Sequence, residues 1–181
     1  MEDLSLHILD IVENSIEAAA TYIEIKIIEE TSKNSMIIEI KDNGKGMDPH
    51  LIELVKDPLV TSKNKKWGLG IPLFIQSAEE SGGHVDIYSE PAKGTLIRAC
   101  FELNHIDLKP LGDMTTTLVT LIATHPEIDF YFQHRKNEQE FSFDTKEMKQ
   151  ALGEVPITSP EVLQYVRQQL TIWYAEQMNE V

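Results

Sequence analysis

"MIIEIKDNGKGMD", residues 36–48, ends an apolar alternating run on an aspartate and then places Gly44 and Gly46 on either side of Lys45. A plain turn needs a single residue with positive φ, and one glycine supplies it. The second glycine implies that the backbone there approaches something closely. Asp42, at the strand end, is suited to accept a hydrogen bond from an exocyclic amine, and Met47 offers soft apolar surface to a flat ring.

On the N-terminal side, "YIEIKII" (22–28) alternates β-branched with charged residues and predicts a half-buried strand. With "MIIEI" (36–40) it forms a hairpin through "TSKNS". Before it, Leu4, His7, Ile8, Ile11, Val12, Ser15, Ile16 and Ala19 recur at three- and four-residue spacing, a helix over 4–20 with Asp3 as N-cap. On the C-terminal side, "DPHLIELVKD" is a short helix capped by Asp48. "GIPLFIQSAEESGG" is a helix closed by Gly82, and "HVDIYSE" and "TLIRACFEL" form a second hairpin ending near Leu103.

The texture then changes. "NHIDLKPLGD" (104–113) reads as a connector, "MTTTLVTLIATH" as a helix whose threonines also suit a strand, and "IDFYFQHRKNEQEFSFD" as a third hairpin. Two helices follow, the second with Ser159 as cap and Pro160 in its first position. This divides the chain into a module at 1–103 and an α/β extension at 104–181.

The 181 residues carry a net charge of −14, which excludes general nucleic-acid binding. No apolar run is long enough to span a membrane. The acidic N-terminus lacks the basic flank of a signal peptide. Cys100 is the only cysteine, so no intrachain disulfide forms and a reducing cytoplasm is the expected setting. Against this acidity, Lys63, Lys65 and Lys66 make a local basic loop, a candidate anion contact.

Four pieces carry chemistry. In "LDIVENS" (9–15), Asp10 and Asn14 project from one helical face with Glu13 nearby. The glycine loop at 41–48 is the second. "DPLVTSKNKKWGLG" (57–70) is the third, with Gly68, Leu69 and Gly70 turning into a helix start, where free N–H groups can hold phosphate. In "EPAKGTLIRACFEL" (90–103), Gly94 allows a turn and Thr95 puts a hydroxyl at a strand start.

In this order and spacing the four pieces resemble the N, G1, G2 and G3 boxes of the ATPases that include DNA gyrase, MutL and the histidine kinases (GHKL), over roughly residues 3–103. The resemblance implies an α+β fold, a two-layer α/β sandwich of the histidine kinase-like (Bergerat) type, here with a smaller C-terminal α/β extension. It implies ATP and Mg²⁺ as ligands. Asp42 then accepts the adenine amino group, and Gly44, Gly46 and Met47 shape the pocket. Asn14 helps hold the Mg²⁺ that bridges the phosphates. Lys63 is a phosphate contact, Gly68, Leu69 and Gly70 form the lid turn, and Thr95 lies near the adenine.

The chain also departs from that pattern. Asp10 stands where hydrolysing members carry a glutamate as general base. It has the same chemistry on a side chain one methylene shorter, and Glu13 is the nearby longer carboxylate. Ala19 stands where MutL-like sequences usually have glycine, which reads as a packing change. The N-box helix begins near residue 4, so a dimerising helix pair with a phosphoacceptor histidine is not expected upstream. Three activities stay open: phosphorylation of a protein partner in trans, slow ATP hydrolysis, and nucleotide sensing without catalysis. The extension is expected to be a partner-docking element. Of its aromatics Phe130, Tyr131, Phe132, Phe141, Phe143, Trp173 and Tyr174, most are expected in the core and a few on a docking face. Oligomeric state is not legible in the chain.

Overall fold

The structure is a computed structural model and describes residues 3–56 and 69–178. Helix α1 (Leu4–Glu17) is followed by β1 (Tyr22–Glu30), β2 (Ser35–Asp42), α2 (Pro49–Lys56), α3 (Gly70–Glu80), β3 (His84–Glu90) and β4 (Gly94–Glu102). Then come α4 (Met114–Thr124), β5 (Asp129–Lys136), β6 (Gln139–Asp144), α5 (Thr145–Leu152) and α6 (Pro160–Met178). The threonine-rich segment at 114–124 is thus a helix, capped by Asp113, whose side chain accepts from Thr116 N–H.

The strands form one six-stranded sheet in the order β3-β4-β2-β1-β5-β6. Only β1 and β5 run parallel; every other neighbouring pair is antiparallel. Alternation puts Ile23, Ile25 and Ile27 on the same face as Ile38, Ile40, Ile97, Ala99, Phe130 and Phe132, all buried. The other face carries ion pairs: Lys26–Glu24 at 2.9 Å, Lys41–Glu24 at 3.2 Å and Arg98–Glu39 at 2.6 Å. Exposed pairs of this kind contribute about 0–1 kcal/mol each. The apolar face therefore decides the architecture: one buried side takes one layer of helices, which is a two-layer α+β fold.

The segment after residue 104 continues this sheet. β5 pairs with β1 from Tyr22↔Asp129 to Glu29↔Lys136. The connector also closes the start of α1: Leu4 N–H donates to Pro110 O at 2.9 Å and Ser5 N–H to Leu111 O at 2.8 Å. Asp3 caps the same turn, accepting from Leu6 N–H at 3.1 Å. Free N–H groups at a helix start need such partners.

Of the aromatics in the C-terminal half, Phe130, Phe132 and Trp173 are buried, and Tyr131, Phe141, Phe143 and Tyr174 are half-buried. Among the described residues, the large apolar side chains that face solvent there are Ile106, Val155, Tyr165 and Ile172. Near α1's start, His7 is fully buried with its ring centroid 5.7 Å from that of Phe74. Neither ring nitrogen has a hydrogen-bond partner among the described residues. Burial, with Lys109 adding to it, lowers its pKa to about 4.

Candidate nucleotide site

Ile11, Asn14, Ser15 and Ala18 fall three or four apart on α1 and so share one helical face. That face lines a pocket with Asp42, Lys45, Gly46 and Met47 from the end of β2 and its loop. Val55 of α2, Ile71 of α3, and Thr95 and Ile97 of β4 complete it. The walls are mainly apolar, with Asn14, Ser15, Asp42 and Thr95 as convergent polar groups, the usual composition of a small-molecule site. Asp42 and Thr95 are direct cross-strand partners.

Asp42 is 8% exposed, and both of its oxygens are held. Oδ1 accepts from Gly44 N–H at 2.8 Å, and Oδ2 accepts from Ser15 Oγ at 2.9 Å. Across from it, Ser89 Oγ accepts from Met47 N–H at 2.8 Å and lies 2.8 Å from Thr95 Oγ1. Asn43 Oδ1 accepts from the N–H groups of Thr21 and Tyr22 at 2.8 and 3.0 Å, which fixes the loop to the start of β1. Ser15, Asn43 and Ser89 were not among the sequence-derived site residues. Ser15, a hydroxyl embedded in an apolar helix stripe, carried the one available signal.

The glycines make their close approaches to the protein itself. A Cβ on Gly46, whose φ is +65°, would lie 1.9 Å from Glu90 O, and one on Gly94 would lie 2.0 Å from Asp42 O. Lys45 N–H donates to Ala18 O at 2.9 Å and Ala92 N–H to Lys45 O at 2.7 Å. The loop is thus clamped between the end of α1 and the β3–β4 turn. Ala19, at the end of α1, has φ +59°. This corrects the packing reading: a glycine there would serve the left-handed backbone.

Asp10 is exposed and does not line the pocket. A Cβ on Gly70 would come within 2.9 Å of Asp10 Cβ, so the N-box helix and the start of α3 meet there. Burial and the neighbouring Glu13 carboxylate raise the Asp10 pKa. Glu13 is turned toward the C-terminal half, its Oε1 3.7 Å from His125 Nε2. Leu69 precedes α3 and is exposed. Lys63, Lys65, Lys66 and Gly68 lie outside the described residues.

Residues 2–105 match the family model described as histidine kinase-, DNA gyrase B-, and HSP90-like ATPase. Among curated relatives, "Putative sensor histidine kinase NtrY-like" of Rickettsia conorii is 29% identical over 60% of this chain and 18% of its own length. Sporulation kinase C of Bacillus subtilis is 28% identical over 52% of this chain and 22% of its own. The chain therefore spans less than a quarter of either relative. Among solved structures, the N-terminal domain of a DNA repair protein superposes at TM-score 0.56 with 17% identity, over 78% of this chain and 52% of that one. The Aquifex aeolicus MutL ATPase domain complexed with ADP gives TM-score 0.48 at 20% identity, over 78% and 64%. The chain belongs to the histidine kinase-, DNA gyrase B- and HSP90-like ATPase family.

Proposed function

We propose that this protein binds Mg-ATP between α1 and the β2–β4 end of the sheet and phosphorylates a protein partner in trans. The observation that carries the nucleotide reading is Asp42, a buried carboxylate with a protein donor on each oxygen and acceptor capacity left toward the pocket. An ionised carboxylate only accepts, which suits the adenine amino group. Thr95 stands beside it, and Met47 and Ile97 give the ring apolar surface.

Asn14 is the protein ligand proposed for Mg²⁺. Among the described residues no group of three or more His, Cys, Asp or Glu could hold a metal by itself. That donor set fits an ion held mostly by nucleotide phosphates with few protein ligands, as Mg²⁺ commonly is. Bound there, the ion would neutralise phosphate charge.

Asp10 is the proposed general base. Its raised pKa makes it a better proton acceptor than an ordinary aspartate, and it stands one helical turn before the pocket-lining Asn14. It would take the proton of the attacking hydroxyl. The same geometry supports a second reading, slow ATP hydrolysis with water in place of the partner hydroxyl. The exposed Val155, Tyr165 and Ile172 are candidate contacts for the partner.

Calorimetry tests the binding step. Asp42→Asn should weaken ATP by one to two decades, about 1.5–3 kcal/mol, and EDTA should weaken ATP binding to the wild type. Unchanged affinity in Asp42→Asn would remove the assignment. Incubation with γ-labelled ATP, with and without cell lysate, separates transfer to a protein from release of phosphate. Asp10→Asn should lower either rate by about 10²–10⁴-fold while ATP still binds.

A further inference from the structure

The two hydroxyl-bearing groups of the pocket are wired differently. Ser15 is 5% exposed, and its Oγ has two oxygens in reach, Asp42 Oδ2 at 2.9 Å and Ile11 O at 3.3 Å. A serine has one proton to give, and the shorter contact to a carboxylate is the stronger one. Gly44 N–H holds the other carboxylate oxygen. Asp42 is therefore pinned at both oxygens, and its remaining acceptor directions into the pocket are set by those two donors.

Thr95 is not pinned in this way. Its Oγ1 lies 2.8 Å from Ser89 Oγ, which itself lies 2.9 Å from Gly94 O. If Ser89 donates to Gly94 O, Thr95 gives its proton to Ser89 and shows the pocket only lone pairs. If Ser89 donates to Thr95, the threonine proton is free for the pocket. The Ser89–Thr95 pair can thus face a donor or an acceptor.

We infer that Ser15 is a positioning residue whose bond to Asp42 sets the preference of this pocket for a 6-amino over a 6-oxo purine. The inference rests on the nucleotide reading of the pocket. With the carboxylate pinned, the group that meets it must be a donor at one place, where adenine has its amino group and hypoxanthine has a carbonyl oxygen. Released from Ser15, the carboxylate can swing toward the ring N1–H that hypoxanthine carries and adenine lacks. Ser89–Thr95 follows either base by moving its proton.

The test is a titration of the full chain with ATP and with ITP, for wild type, Ser15→Ala and Ser15→Thr, each checked by thermal melting. Wild type should prefer ATP. In Ser15→Ala the ATP affinity should fall roughly tenfold, the scale of one charge-assisted bond, and the ATP-to-ITP ratio should narrow by a similar factor. Ser15→Thr keeps a hydroxyl and should restore the ratio. A Ser15→Ala protein with the wild-type ATP-to-ITP ratio overturns the positioning role. A wild-type chain that binds neither nucleotide overturns the pocket reading itself and this inference with it.

Discussion

The two ends of the sheet solve different problems. At the β2–β4 end the buried groups include Ser15, Asp42 and the glycine turns, and a cavity is kept open between α1 and the strands. At the β5–β6 end Phe132 is fully buried and packs against Phe141 and Phe143, with ring centroids 6.5 and 5.7 Å away. A polar knot there, His134, lies 2.8 Å from Glu29 and 3.2 Å from Tyr174 and ties β5 to β1 and α6. A site that holds space and polar groups for a ligand forgoes packing. The aromatic end supplies packing to the same sheet, through β1. The comparison teaches that the C-terminal half stabilises what the N-terminal half uses.

Removing that support should have the largest effect. A chain ending at Leu103 would strip β5 from β1 along the whole of that strand and free the N–H groups of Leu4 and Ser5. It should show no cooperative melt by circular dichroism. Phe132→Ala, a milder version, should cost about 3–5 kcal/mol, with ATP-dependent stabilisation lost in the same transition. A nucleotide half that melts on its own, still binding ATP, would break the comparison.

The next effect belongs to the pocket end alone. Gly94 has φ +88°, and its added Cβ would meet Asp42 O at 2.0 Å. Gly94→Ala combines left-handed strain of about 1–2 kcal/mol with overpacking of about 1–3 kcal/mol. It should destabilise the protein and displace Asp42, so ATP affinity should fall by more than the melt alone explains. Wild-type affinity in a destabilised Gly94→Ala protein would separate the turn from the site.

His7 sharpens the seam between the halves. Its folded pKa of about 4 lies below the ordinary histidine value of 6.5, so between those values the unfolded chain binds the extra proton. Stability is full above pH 6.5 and falls as pH drops toward 4, by roughly 3 kcal/mol from this residue. His7→Leu should flatten that part of the pH–stability curve, measured by urea unfolding. A curve of unchanged slope would mean that the ring finds a partner when protonated.

Faces were legible in the chain and neighbours were not. Alternation at 22–28 and 36–40 places Ile23, Ile25, Ile38 and Ile40 on the buried side, since period 2 admits one apolar face. The pairing of β1 with β5 is written in no local pattern, because the two strands are about a hundred residues apart and each reads only as a half-buried strand. The change of texture at 104 is real in composition, yet the sheet crosses it. Within the site, Asn14, Asp42, Gly46, Met47 and Thr95 do line one pocket. Asn43 and Ser89 act through bonds formed only when distant strands and turns meet, so no spacing announces them. The need for glycine at 44 and 46 was visible in the loop, while the carbonyls they pass, Ala18 O and Glu90 O, were not.

The smallest effect falls at the joint where α1 delivers its residues to the pocket. Ala18 N–H donates to Asn14 O, and the chain then turns through Ala19 at φ +59° before entering β1. An L-residue held in that region costs about 1–2 kcal/mol relative to glycine, and glycine loses part of this through its larger unfolded-state entropy, about 0.5–1 kcal/mol. Ala19→Gly should therefore stabilise the protein by roughly 0.5–1 kcal/mol, a shift in melting temperature of a few degrees. Ala18 lines the pocket and its carbonyl receives Lys45 N–H, so the turn is mechanically joined to the loop that carries Asp42. Two outcomes differ in meaning. Added stability with unchanged ATP affinity would show that the strain at Ala19 is only a cost of the turn. Added stability with weaker ATP binding would show that the strained turn helps set the loop, and would place one more residue on the pocket side of the comparison.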